Sequence, residues 1–140
     1  MKYRYPAMIE AEAEGGFTVT LPGLPGVTWG ATEADALREA EDLLVSSLSF
    51  FVDDGKPIPA PEPARGRPLV SVPVLEATKL ALHDAMLEQR LTNAELGARL
   101  GVTETIVRRL RDPLHRSHVG QVEAALRAVG RRIVVEAVAA

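Results

Sequence analysis

The sequence predicts an α+β fold in two parts: a small antiparallel sheet with one packed helix, then an all-helical domain that ends in a short strand. Three observations lead there. Apolar and polar residues alternate between Tyr3 and Leu21, which marks strands. Apolar residues then recur at helical spacing from Leu37 to Phe51. Beyond a proline-rich stretch, capping signals and helical spacing dominate from Leu75 to Gly130.

The elements follow in order. Tyr3, Tyr5, Ala7, Ile9 and Ala11 share one face of a first strand. Pro6 has no N–H for a ladder, so an edge position or a bulge is expected there. Glu14-Gly15-Gly16 is a turn, and Phe17-Thr18-Val19-Thr20-Leu21 returns as the second arm of a hairpin. Pro22-Gly23-Leu24-Pro25-Gly26 is a shaped loop, after which Val27-Thr28-Trp29-Gly30 forms a third strand. Thr32-Glu33-Ala34-Asp35 resembles a capping box with Asp in place of Glu. It opens a helix of roughly five turns whose stripe is Leu37, Ala40, Leu44, Leu48 and Phe51, closed by Asp54-Gly55. Prolines 57, 59, 61 and 63 then force an extended, semi-rigid linker over about 55–68. Leu69-Val70-Ser71-Val72 reads as a further strand of the first domain. The expected domains are therefore 1–73 and 74–140.

The second domain starts with an amphipathic helix over about 75–90. Thr92-Asn93-Ala94-Glu95 is a capping box that opens the next helix. Gly101 supplies the left-handed residue of a tight turn, and Thr103 starts a third helix. Ser117 is the expected cap of a fourth, which carries Val119, Val122, Leu126 and Val129 on one stripe and stops at Gly130. Arg131 to Val138 reads as a lone strand, and pairing with a second copy would satisfy its backbone groups.

Composition places limits on partners. Residues 1–64 hold 4 Lys/Arg against 11 Asp/Glu, a net of −7, whereas residues 65–140 hold 12 against 8, a net of +4. Such asymmetry points to a different partner for each half. The chain has no cysteine, which excludes disulfides and thiolate metal sites and suits a reducing cytoplasm. No signal peptide is visible, and the longest apolar-rich segment, Leu43 to Val52, is too short to span a bilayer.

The two short helices around Gly101 have the layout of a helix-turn-helix, whose second helix lies in the DNA major groove. In that arrangement Ala94, Leu96, Leu100, Val102, Val107 and Leu110 hold the helices together. Thr105, Arg108 and Arg109 project toward base edges, Thr92, Asn93 and Arg111 reach phosphates, and Thr103 joins this DNA-facing set. The competing reading is a plain helical bundle with a solvated arginine face. Glu104 places a negative charge near the phosphates, and Gly97 replaces the alanine common in such motifs, which is expected to loosen the packing. His115 and His118 lack a matched ligand set and read as polar loop and cap neighbours.

In the first half, Glu10, Glu12 and Glu14 fall on one strand face. They read as a partner-facing acidic surface, together with Trp29, or alternatively as part of a divalent metal site. No nucleophile–base pair or phosphate loop is present, so no catalytic residue, metal or cofactor is expected.

Five segments in order carry a resemblance. They are Tyr3-Arg4-Tyr5-Pro6-Ala7-Met8-Ile9-Glu10, Gly15-Gly16-Phe17-Thr18-Val19, Leu21-Pro22-Gly23-Leu24-Pro25-Gly26-Val27, Gly30-Ala31-Thr32-Glu33-Ala34-Asp35-Ala36-Leu37 and Ile58-Pro59-Ala60-Pro61. As a set they resemble the HicB antitoxin family, which includes members with a C-terminal helix-turn-helix. Val27 stands where a cysteine is frequent in that family, and Gly23 where an acidic residue is frequent. The resemblance implies a degenerate RNase H-like N-terminal domain without nuclease activity. That domain would bind a HicA-type toxin, a small basic ribonuclease that cuts mRNA. The C-terminal domain would bind operator DNA of the shared operon as a homodimer or higher homo-oligomer, and the chain would act in the cytoplasm without a membrane partner. The charge split agrees with both halves, since complementary charge speeds encounter and selects partners. Two other functions remain compatible with the residues: a stand-alone regulator with an N-terminal sensor domain, and a metal-dependent nuclease using Glu10 and Glu12.

Overall fold

The computed structural model describes residues 3–139, so the outermost ends of the two expected domains, residues 1, 2 and 140, lie outside the described residues. Strands β1 (Arg4–Pro6), β2 (Met8–Ala11), β3 (Phe17–Thr20) and β4 (Val27–Gly30) precede helix α1 (Glu33–Asp53). Strand β5 (Leu69–Ser71) follows the proline-rich segment, and α2 (Val74–Glu88), α3 (Asn93–Leu100), α4 (Glu104–Arg111) and α5 (Val119–Ala128) complete the chain.

Pro6 divides what the alternation alone suggests is one strand. β1 pairs antiparallel with β5, Tyr5 opposite Val70, while β2 pairs with β3, which in turn pairs with β4. At the break, the Ala7 amide donates to the Pro68 carbonyl at 2.9 Å, so the kink leaves this amide satisfied. The fourth expected strand therefore closes on the first, across more than sixty residues of chain.

α1 begins where the Thr32 hydroxyl accepts from the Asp35 amide at 3.1 Å. Only this half of the capping box forms, because the Asp35 carboxylate pairs with Arg38 instead. Ala36, Ala40, Leu44 and Leu48 are completely buried against Val19, Leu21, Tyr5 and Val70. A buried leucine contributes about 1.5–3 kcal/mol, so this stripe is the main clamp of the first core. Gly30 lets the start of α1 approach β4. A Cβ there would lie 2.2 Å from the Ala36 nitrogen.

The proline-rich segment is strapped down. Ile58 is buried in the first core, Tyr5 Oη donates to the Pro59 carbonyl at 2.7 Å, and the Ile58 amide donates to Asp84 at 3.0 Å.

α2 is buried on more than one side. Leu80 packs into the first core, whereas Leu82, Ala85 and Met86 join a second core with Leu96, Val107, Leu110, Val122 and Leu126. Its polar residues Thr78, Lys79 and His83 are also buried. The amphipathic pattern suggests one apolar stripe, but this helix is a shared wall between two cores.

Residues 131–139 form no ladder within the chain, in place of the strand expected there. The segment is tied at its start by Arg131, whose amide donates to the Leu126 carbonyl and whose guanidinium meets Glu88 at 2.8 Å. Val134, Val135 and Val138 are exposed. No described helix is long and apolar enough to cross a membrane.

Candidate functional site

Local chemistry fixes the α3–α4 pair. Thr92 forms a complete capping box: its hydroxyl accepts from the Glu95 amide at 3.1 Å, and its own amide donates to the Glu95 carboxylate at 3.2 Å. Gly101 ends α3 at φ +70°, a left-handed value that glycine adopts without strain. Thr103 caps α4 by accepting from the Ile106 amide at 3.3 Å. Gly97 draws the turn closer. Its carbonyl accepts from Val102 at 2.9 Å, and a Cβ on it would lie 2.7 Å from the Val102 carbonyl oxygen. The absence of a side chain thus tightens the helix–turn contact, which corrects the expected loosening. Ala94 is exposed and takes no part in the junction, contrary to the expected core set.

α4 presents two faces. Val107 and Leu110 are buried in the second core, while Thr103, Glu104, Thr105, Ile106, Arg108 and Arg109 are exposed. Neither Arg108 nor Arg109 pairs with a carboxylate among the described residues. Both stand in the last turn of α4, where positive charge also complements the helix dipole. Thr92 is exposed at the start of α3.

Arg111 and Asn93, both expected to reach phosphates, are bonded to each other. The Arg111 guanidinium donates to Asn93 Oδ1 at 2.6 Å and to His83 Nδ1 at 2.7 Å, and its Nε is buried without a partner. These side chains brace α4 against α3 and α2. Ser117 is likewise engaged elsewhere. Its hydroxyl accepts from Lys79 Nζ at 2.8 Å, and the N-cap of α5 is His118, which makes no side-chain capping bond.

The groove beside α4 brings in residues outside the expected set. Ile106, His115, Arg116, His118 and Gln121 line it beside the expected Arg109. Arg116 and His118 form a short basic run just before a helix, and that run was the available signal in the sequence.

The acidic half offers a second surface. Register places Glu10 opposite Thr18, and Thr18 opposite Trp29; Met8 faces Thr20, and Thr20 faces Val27. These residues share the face of the three-stranded sheet opposite that of Ile9 and Val19, which pack into the first core. Val27 is 61% exposed, Trp29 54% and Met8 45%, so the face is apolar as well as acidic. The Trp29 indole lies against Gly16, where a Cβ would come within 2.3 Å of the ring. This leaves Trp29 on the surface. Glu12 and Glu14 lie beyond the end of β2, in the hairpin turn rather than on the strand, and Glu12 accepts from the Thr18 hydroxyl at 2.5 Å. Among the described residues no three His, Asp or Glu side chains come together as a metal-ion ligand set.

Comparisons with known proteins identify the family. Residues 4–81 match the family described as the HicB_like antitoxin of bacterial toxin-antitoxin system. The chain is 35% identical over 133 residues to Antitoxin HicB 1 of Photorhabdus laumondii, covering 94% of this chain and 85% of that protein. It is 31% identical over 132 residues to Antitoxin HicB of Escherichia coli K12, covering 93% and 96%. With Antitoxin HicB of Pseudomonas fluorescens it shares 39% over 113 residues, covering 79% and 77%.

Proposed function

Because the chain belongs to the HicB-like family of antitoxins of bacterial toxin–antitoxin systems, we propose that it neutralises a HicA-type toxin with its N-terminal half and represses its own operon with its C-terminal half. It acts in the cytoplasm, by binding rather than by catalysis. The toxin docks on the outer sheet face, where Glu10 and Glu12 flank Met8, Val27 and Trp29. An apolar centre with an acidic border suits a small basic protein, since the apolar area supplies affinity and the charges supply steering. Operator DNA docks on α4, with Thr105, Arg108 and Arg109 at base edges and Thr92, Thr103 and Arg116 along the backbone. Two copies joined through residues 131–138 would match the repeat of an operator.

One observation carries the DNA half of this reading. On a turn held by two caps, the close approach at Gly97 and the left-handed Gly101, the arginines of α4 whose side chains have no protein partner among the described residues are the two exposed ones, Arg108 and Arg109. The test is direct. Arg108→Ala or Arg109→Ala lowers operator affinity by about 1–3 kcal/mol, as loss of a bidentate base contact does, and leaves toxin neutralisation intact. Simultaneous loss of both functions in a folded variant overturns the division of labour. Operator affinity also falls steeply with salt, and a flat salt response contradicts phosphate binding.

A further inference from the structure

We propose that Lys79 and His83 of α2 are positioning residues for the reading helix α4, and that His83 ties the orientation of that helix to the N-terminal half. The inference rests on the DNA-binding reading above and deepens it.

His83 is completely buried, and both of its ring nitrogens are engaged. Nε2 lies 2.7 Å from the Lys56 carbonyl, in the turn that closes α1. Nδ1 lies 2.7 Å from Nη2 of Arg111, in the last turn of α4. A carbonyl only accepts and a guanidinium only donates, so a single arrangement satisfies both: Nε2 carries the proton and Nδ1 accepts. The ring is therefore neutral and its tautomer is dictated by its neighbours. From Arg111 the series continues to Asn93 Oδ1 at the start of α3. Four groups on four elements are thus joined: the turn after α1, then α2, α4 and α3.

Lys79 makes the second tie. Its Nζ, on a completely buried side chain, donates to the carbonyl of Arg109 at 2.7 Å and to Ser117 Oγ at 2.8 Å. The acceptor is the backbone of one of the arginines proposed to read bases. It also belongs to the group of C-terminal carbonyls that a helix leaves without internal partners. Lys79 thus holds the C-terminal end of α4 while His83, through Arg111, fixes its azimuth. The Arg111 guanidinium holds this place even though its Nε is left unpartnered. Burial keeps His83 below the ordinary histidine range, with the Arg111 cation adding to that effect and the Lys56 carbonyl and Asp84 opposing it.

A positioning role separates from a merely structural one by its readout. A bidentate contact with a base edge depends on the helix's angle, whereas phosphate attraction is tolerant of it. Misplacing α4 should therefore lower operator affinity and spare non-specific affinity. The experiment measures fluorescence anisotropy of the full chain with two labelled duplexes, one carrying the promoter upstream of its own coding sequence and one with that sequence scrambled. Wild type, His83→Gln and Lys79→Met are compared at pH 7.5, with circular dichroism to confirm the fold. His83→Gln retains a donor for the Lys56 carbonyl, and Lys79→Met retains the apolar stem. The expected result is a fall of about tenfold in the ratio of specific to non-specific affinity, with an unchanged salt slope. Folded variants that keep the wild-type ratio overturn the positioning role and leave the DNA reading standing. A wild-type chain without preference for the promoter duplex overturns the DNA reading and this inference with it. Should His83→Gln fail to fold, Lys79→Met decides the question alone, because its contact to Arg109 is made independently of the His83 series.

Discussion

Replacing Gly30 by alanine isolates one physical quantity, the closeness of α1 to β4. Gly30 has no positive φ, so the added methyl brings no backbone strain. Its Cβ would lie 2.2 Å from the Ala36 nitrogen, 2.6 Å from the Ala36 Cα and 2.7 Å from the Asp35 carbonyl carbon. All three are backbone atoms of α1, so no side chain can swing away. To restore ordinary contact the helix must move out by roughly 1 Å, and a gap of that size forfeits about a quarter to a half of each van der Waals contact across it. The contacts at risk are those of Ala36, Ala40 and Leu44, all completely buried. Overpacking of this kind costs about 1–3 kcal/mol and occasionally more, and the rigid partner places Gly30→Ala at the upper end, about 3 kcal/mol. For a chain of this size that lowers Tm by about 10 °C. The natural control is Gly120→Ala in α5, where a Cβ meets nothing within 4 Å and φ is not positive. There alanine gains helix propensity, up to about 1 kcal/mol. Thermal unfolding followed by far-ultraviolet circular dichroism compares the two. A Gly30→Ala protein that melts with wild type, or below-wild-type melting of Gly120→Ala, refutes the reasoning.

Three further outcomes are expected. The His83 contribution to stability is level above the ordinary histidine value of about 6.5 and is lost below it, because burial lowers the His83 pKa and the unfolded chain takes up a proton that the native ring refuses; urea titrations of wild type and His83→Gln at pH 7.5, 6.5 and 5.5 check this, the wild type losing more stability than His83→Gln as pH falls. Thr92→Ala loses both bonds of the α3 capping box and costs about 1 kcal/mol, or about 4 °C in Tm, with operator affinity reduced and toxin binding unchanged. Val134→Lys together with Val138→Lys shifts the chain toward monomer in sedimentation velocity if residues 131–138 join two copies, and an unchanged sedimentation coefficient places the oligomer contact elsewhere.

Features governed by neighbours along the chain were legible in the sequence. The Thr92–Glu95 capping box, the hydroxyl caps at Thr32 and Thr103, the left-handed turn at Gly101 and the stops at Gly55 and Gly130 are all formed. Each depends on residue types within a few positions, which is the range a sequence pattern covers. The break at Pro6 was visible for the same reason, as a missing donor. What stayed hidden depends on partners far away. Lys79 and His83 look like the solvated side of an amphipathic helix, yet they meet Arg109, Ser117, Lys56 and Arg111 at separations of 27 to 38 residues. Arg111 reads as one more cation in a basic run, and only the fold shows that it faces a histidine. On the acidic side, Glu10 and Trp29 were expected on one partner-facing surface, and strand register places them on one face with Thr18 between them. Glu12 and Glu14 were misplaced because the strand ends at Ala11, and alternation does not mark where pairing stops.

The pinned connector has a mechanical consequence. A chain of alternating prolines is usually regarded as a spacer, free to swivel at its ends. Here Ile58 is sunk into the first core and Pro59 is gripped by Tyr5, so the segment acts as a bracket rather than a leash. Torque applied to one half would pass to the other without being dissipated. Two copies clamped on adjacent turns of a duplex would carry their acidic faces like fixed spokes, at a spacing set by the helical repeat of the DNA. Splicing two glycines into the bracket would hardly alter either grip alone, yet it would erase that geometry.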